Sequence, residues 1–164
     1  MLYGVKCHNP KIKGLIVSSP YLKERLDIPP AKLAFARAVA KVCPKLSLKS
    51  GIKSYMVCRD KDVCRKYEKD RLNTNTMTVG WFGAMEKARK CTIENVLSFH
   101  YPCLMLQAGN DIIVDSKVNK SYFESIPVED KEFELYEDFY HEILNDPERE
   151  RALSRIYEWI EARI

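Results

Sequence analysis

Leu104-Met105-Leu106-Gln107-Ala108 is a short, almost unbroken apolar run of strand length, and it ends in Gly109-Asn110-Asp111. Ile12-Lys13-Gly14-Leu15-Ile16-Val17 reads the same way, and Ser18-Ser19-Pro20 stops it because proline cannot continue a ladder. Runs without polar alternation suit parallel strands covered on both faces. A third strand is predicted over 132–136, within Phe133-Glu134-Leu135-Tyr136, and leads to His141-Glu142. Strands are thus expected at 12–17, 103–107 and 132–136. Helical patterns lie between and after them, which argues an α/β chain with a parallel sheet.

The first helix is expected to open at Asp27-Ile28-Pro29-Pro30, proline being tolerated in a first turn, and to end before Pro44. Leu33, Phe35, Ala36, Val39, Ala40 and Val42 recur in it at helical spacing. Residues 45–60 read as loop with short elements, and residues 61–70 as a solvated helix face or loop. Residues 76–90 read as a helix with Trp81, Met85 and Ala88 on one side, and residues 94–97 as one more turn. Residues 115–124 read as a helix with Val118, Tyr122 and Phe123 on one face. Asn145-Asp146-Pro147-Glu148 starts the last helix, whose expected apolar stripe is Leu153, Ile156, Tyr157, Ile160 and Ile164. The segment 21–100 between the first two strands is far longer than a crossover needs, and such insertions commonly serve as lids. The expected organisation is a core of residues 1–20 and 101–164 with a helical lid over 21–100.

The chain has 164 residues, 46% of them hydrophobic, which is enough for one core. No run approaches the ~20 apolar residues of a membrane span, and the first residues lack a signal-peptide pattern, so a cytoplasmic location is expected. The six cysteines are irregularly spaced, without a CxxC pair, and read as free thiols. Neither they nor the three histidines have zinc spacing, so no metal or cofactor is expected. The net charge of +4 is spread along the chain. It suits solvated helix faces rather than a nucleic-acid footprint, and allows at most peripheral contact with an anionic membrane.

Asp111 and His141 are the candidate catalytic residues. Ligand and catalytic groups in open α/β sheets sit beyond the carboxyl ends of strands. A carboxylate there can hold a histidine ring in one tautomer, and that histidine can act as general base and then acid. Read alone, Asp111 is also good turn chemistry and His141 an ordinary loop residue. Their order and their two strand-end positions favour the joint reading. Glu142 reads as a local cap or ion pair, and His8 and His100 carry no assigned role. Ser18 and Ser19 lack a Gly-x-Ser-x-Gly elbow and are set aside as nucleophiles. Met77, Trp81, Phe82 and Met85 form an aromatic and thioether cluster. It reads as helix core or, more sharply, as an acyl-chain pocket in the lid.

Residues 102–115 resemble the acid-bearing segment of monoacylglycerol lipases and bacterial lysophospholipases, serine hydrolases of the α/β-hydrolase fold and serine aminopeptidase S33 type. Tyr140-His141-Glu142-Ile143-Leu144-Asn145, with Glu148-Arg149 and Trp159-Ile160, is similar to the family's histidine segment and last helix. Residues 13–20 look like its strand before the lid. The resemblance implies a partial α/β-hydrolase fold, with Asp111 as triad acid and His141 as triad base. It also implies that the family's opening strands, oxyanion loop and Gly-His-Ser-x-Gly-Gly elbow have no counterpart here, Leu2-Tyr3 matching the end of the helix after the elbow. The chain is therefore expected to be the C-terminal half of an ester hydrolase for monoacylglycerols or lysophospholipids. Inactivity alone, an exposed inner sheet edge and self-association through that edge are expected with it. A non-catalytic remnant or binding module of the same fold is the alternative.

Overall fold

The computed structural model describes residues 2–8, 10–26 and 29–164. Asp27 and Ile28 of the expected helix start, and the side chain of Cys7, lie outside the described residues. The core is a three-stranded parallel sheet in the order β1-β4-β5, comprising β1 (Leu15–Ser18), β4 (Cys103–Ala108) and β5 (Lys131–Tyr136). Leu15 pairs with Cys103 and Ser18 with Leu106, and on the other side Cys103 pairs with Lys131 and Ala108 with Tyr136. Every residue of β4 is buried, as its unbroken apolar run requires of a central strand.

Side chains alternate across the sheet. Leu15, Val17, Cys103, Met105 and Phe133 meet one layer, formed by helix α1 (Leu2–His8) and helix α6 (Ser116–Ser125). Ile16, Leu104, Leu106, Ala108 and Tyr136 meet the other, formed by helix α7 (Arg149–Glu161) and the loop before it. Asp115 caps α6, accepting from the N–H groups of Lys117 and Val118.

β1 starts at Leu15 rather than Ile12, because the Ile12 N–H turns back to the Pro10 carbonyl (3.0 Å). Its other edge is open among the described residues. Leu15 and Ser19 donate toward β4, to the carbonyls of Pro102 (2.8 Å) and Leu106 (2.9 Å). In a parallel ladder the alternate residues, Ile16 and Ser18, therefore aim their backbone groups outward.

The segment 21–100 holds helix α2 (Pro30–Ala40), α3 (Ser54–Val57), α4 (Lys61–Lys69) and α5 (Val79–Glu94). It also holds a two-stranded antiparallel ribbon that helical periodicity does not foresee, β2 (Ser47–Lys49) with β3 (Thr76–Thr78). That ribbon takes residues 76–78 out of the expected helix, and Thr78 becomes its cap, accepting from the Trp81 N–H (3.2 Å). A short 3₁₀ turn at Val96–Ser98 replaces the turn expected over 94–97.

Two helices are rotated from their expected phase. In α7 the buried residues are Ala152 and Trp159, with Ile156 partly buried between them, whereas Leu153, Tyr157, Ile160 and Ile164 are exposed. In α5 the buried residues are Val79, Phe82 and Thr92, while Trp81 is 57% exposed. In α2 only Ala36 is buried, with Leu33, Val39 and Ala40 packed beside it; Phe35 is exposed, as is Val42, which lies past the end of the helix. No helix among the described residues is long and apolar enough to cross a membrane.

Cys43, Cys58, Cys64, Cys91 and Cys103 are free thiols. Burial pushes Cys103 up to about 12 and raises Cys58 and Cys64. Under native conditions near neutral pH, iodoacetamide is expected to alkylate exposed Cys43 first and to spare Cys103 and Cys58 until the chain unfolds. Mass mapping of the modified peptides reads the order, and early labelling of Cys103 would contradict the burial of β4.

Candidate active site

The two candidate residues stand beyond the carboxyl ends of adjacent parallel strands. β4 leaves the sheet through Gly109, whose N–H donates to the Tyr136 carbonyl (2.8 Å), and Asn110 donates to the Phe139 carbonyl (3.1 Å). A Cβ on Gly109 would come within 2.6 Å of the Glu137 backbone, so the side-chain-free residue lets the exits of β4 and β5 run against each other. The loop after β5 is held by two fully buried anchors, Phe139 and Ile143, placed either side of His141. Phe139 stacks on Tyr136 at 4.9 Å between ring centres.

This closeness brings Asp111 and His141 together. His141 Nδ1 lies 2.8 Å from Asp111 Oδ2. The Asp111 side chain is fully buried and that of His141 is 26% exposed. The other carboxylate oxygen, Oδ1, accepts from the N–H groups of Ile113 (2.8 Å) and Val114 (3.0 Å). One oxygen of Asp111 thus closes the turn, as its turn chemistry leads one to expect, and the other meets the imidazole. Arg25 Nη1 donates to the Asp111 carbonyl (2.7 Å), and residues 23–25 lie along 113–115 through an antiparallel bridge of Glu24 with Val114. With Nδ1 donating to the carboxylate, Nε2 is left to accept a proton from another group, which is the geometry of a general base.

Other polar and aromatic residues singled out by the sequence, or shifted in their titration, make local contacts. Ser19, at a φ of 37°, accepts the Ala108 N–H on its hydroxyl (3.2 Å) and ties the end of β1 to β4. Glu142 accepts from Asn145 Nδ2 (2.7 Å), a turn contact rather than an ion pair. His100 stacks on Tyr101. Burial, then a hydrogen bond to Glu24, raises the Tyr21 hydroxyl above its ordinary range. Burial pushes Tyr136 up to about 12. Hydrogen bonds from Arg59, then Arg151, hold Glu148 below the usual carboxylate range. Among the described residues no group of three or more His, Cys, Asp or Glu is gathered for a metal ion.

Of the four residues of the expected acyl pocket, Met77, Phe82 and Met85 pack in one apolar cluster with Ala36 and Val79, and Trp81 stands outside it. Met77 and Phe82 line a cavity of about 60 Å³ with Leu33, Ala36 and Leu48, and Trp81 points outward. Met85 lines a groove of about 470 Å³ beside β1, shared with Leu2, Tyr3, Ile16, Tyr21 and Ala88. The sequence offered no signal for Arg25, since its contact is to a carbonyl 86 positions away. It offered none for Arg59 either, which lies in a stretch read as loop.

Parallel strands, flanking helices and an acid–imidazole pair beyond the strand ends define part of an α/β-hydrolase. The chain matches the family described as serine aminopeptidase, S33, over residues 1–148, and it belongs to that family. Its fold is similar to the monoacylglycerol lipase of Paleococcus ferrophilus, with a TM-score of 0.93 and 26% identity over 99% of this chain and 64% of that one. It is also similar in fold to a soluble variant of monoglyceride lipase from Saccharomyces cerevisiae in complex with a substrate analog, with a TM-score of 0.84 and 17% identity over 99% of this chain and 58% of that one. In sequence it is 31% identical over 143 residues to the phospholipase YtpA of Bacillus subtilis, covering 87% of this chain and 55% of that protein. The chain thus spans about half the length of the Bacillus phospholipase and corresponds to the C-terminal part of these relatives.

Asp111→Ala removes the acceptor of two buried backbone N–H groups and is expected to destabilise the chain by about 2–4 kcal/mol. Asp111→Asn keeps an acceptor oxygen for them and is expected to cost about half as much. Urea unfolding of the three proteins measures the difference, and an alanine variant as stable as the parent would contradict the turn-closing role.

Proposed function

We propose that this chain is the histidine- and acid-bearing part of a serine ester hydrolase acting on monoacylglycerols or lysophospholipids. The observation that carries the reading is the Asp111–His141 hydrogen bond at 2.8 Å, in a chain of a hydrolase family. In the proposed reaction Asp111 fixes the imidazole tautomer. His141 Nε2 takes the proton of a serine hydroxyl as it attacks the ester carbonyl, and the alcohol leaves with that proton. Water then hydrolyses the acyl-enzyme by the same route.

The serine and the oxyanion donors come from polypeptide beyond these 164 residues, seated against the outward-facing backbone of Ile16 and Ser18. In its absence the same edge supports self-association. The proposed acyl site keeps Met77, Trp81, Phe82 and Met85. Met85 on the groove beside β1 and exposed Trp81 are the members whose placement best suits contact with an acyl chain. A cytoplasmic location agrees with the five free thiols among the described residues.

The test compares this chain with a longer polypeptide that includes a Gly-x-Ser-x-Gly segment, using a p-nitrophenyl ester and a monoacylglycerol. The 164-residue chain is expected to be inactive and the longer one active, with His141→Ala lowering kcat by about 10³-fold or more. Turnover indifferent to His141→Ala would overturn the proposal, and no turnover by either protein would favour a binding module.

A further inference from the structure

The loop carrying His141 is not held by the sheet alone. Three consecutive residues, the last of α3 and the two that follow it, each touch it. The Val57 carbonyl accepts the N–H of Glu142, the residue next to His141 (2.8 Å). Cys58 Sγ donates to the Asn145 carbonyl (3.0 Å). Arg59 forks onto Asp146, with Nε at 2.7 Å from Oδ2 and Nη2 at 2.8 Å from Oδ1, and reaches Glu148 at 2.6 Å. The Asp146 side chain is 1% exposed. The Arg59 guanidinium also lies over the ring of Phe139 at 5.1 Å. These contacts bracket His141 on both sides in sequence, at Phe139 and at residues 142–148.

We propose that Arg59 is a positioning residue for His141, through which the 21–100 segment sets the imidazole against Asp111. The inference rests on the acid–base reading of that pair. A fork onto a fully buried carboxylate is geometrically specific, and removing the arginine leaves a buried charge unpaired. Asp146 would then seek water. Its movement is transmitted through the 3₁₀ turn at Ile143–Asn145 to Glu142 and His141. Displacement of a general base by about 1 Å is enough to cost about 10²-fold in rate. Any movement of the segment bearing Arg59 is thereby felt at the imidazole, so that segment governs the acid–base pair.

The experiment follows the exchange with solvent of the His141 Nδ1 proton by NMR in the 164-residue chain, where only three histidines must be assigned. Arg59→Ala and Asp146→Asn are each expected to speed exchange by about tenfold or more, because each frees the loop to open locally. The double variant should be no faster than the faster single one. Arg59→Lys restores charge without the fork and should fall between. Arg37→Ala, which breaks a comparable fork to Glu86 on α2 and α5, should leave the proton as in the parent. If Arg59→Ala does not fold, the lysine and Asp146→Asn variants carry the measurement. Parent-like exchange in both, or equal acceleration by Arg37→Ala, would overturn the proposal. A parent chain with no protected Nδ1 proton would instead remove the acid–base pair on which it rests.

Discussion

The carboxylate of Asp111 is the point on which the loops beyond β4 and β5 are assembled. Buried among apolar residues, it is tolerable only because hydrogen-bond donors surround it. Two backbone amides at Ile113 and Val114 take one oxygen and the His141 ring takes the other. Those donors come from different parts of the chain, so satisfying one side chain fixes the turn after β4 against the loop after β5. The parallel register of the two strands and the bare backbone at Gly109 make that convergence sterically possible.

A second layer of polar contacts transfers this order outward. Arg25 reaches the Asp111 carbonyl from the segment after β1, and Arg59 reaches Asp146 from between α3 and α4. Both arginines belong to the stretch that a sheet-centred view would treat as a cover. Through Arg59 that stretch holds the loop with His141, whose apolar anchors Phe139 and Ile143 are fully buried. The apolar surface left over gathers elsewhere. Ile16 lies between two grooves, one with Tyr3 and Met85, the other with Ile160 and Ile164. An edge strand with outward backbone groups and apolar flanks is a surface suited to pairing.

Much of this was legible in the residues. The unbroken apolar run of β4 gave a buried parallel strand, and Gly109-Asn110-Asp111 gave a turn with an acid at its end. What could not be read was phase and partnership. Leu153, Tyr157, Ile160 and Ile164 fit helical spacing as well as Ala152, Ile156 and Trp159 do. Spacing establishes that a helix exists, but the shape of the facing sheet chooses which stripe is buried. The β2–β3 ribbon spans only three residues on each strand, too few to leave a periodic mark, and it displaced the start of α5. Asn145 looked like a helix cap, yet residues 143–145 form a 3₁₀ turn and α7 starts at Arg149, because the Asp146 carboxylate is engaged by Arg59 and the Glu148 N–H. Such contacts between residues 87 positions apart leave no trace in local pattern.

The imidazole tautomer of His141 addresses the core of this account most directly. Long-range ¹H–¹⁵N correlation at about pH 8, above the ordinary histidine range, reports which ring nitrogen carries the proton. Donation from Nδ1 to Asp111 requires a protonated Nδ1 and a bare Nε2, and Asp111→Ala should abolish that preference. A ring protonated at Nε2, or one that interconverts like free imidazole in the parent chain, would contradict it.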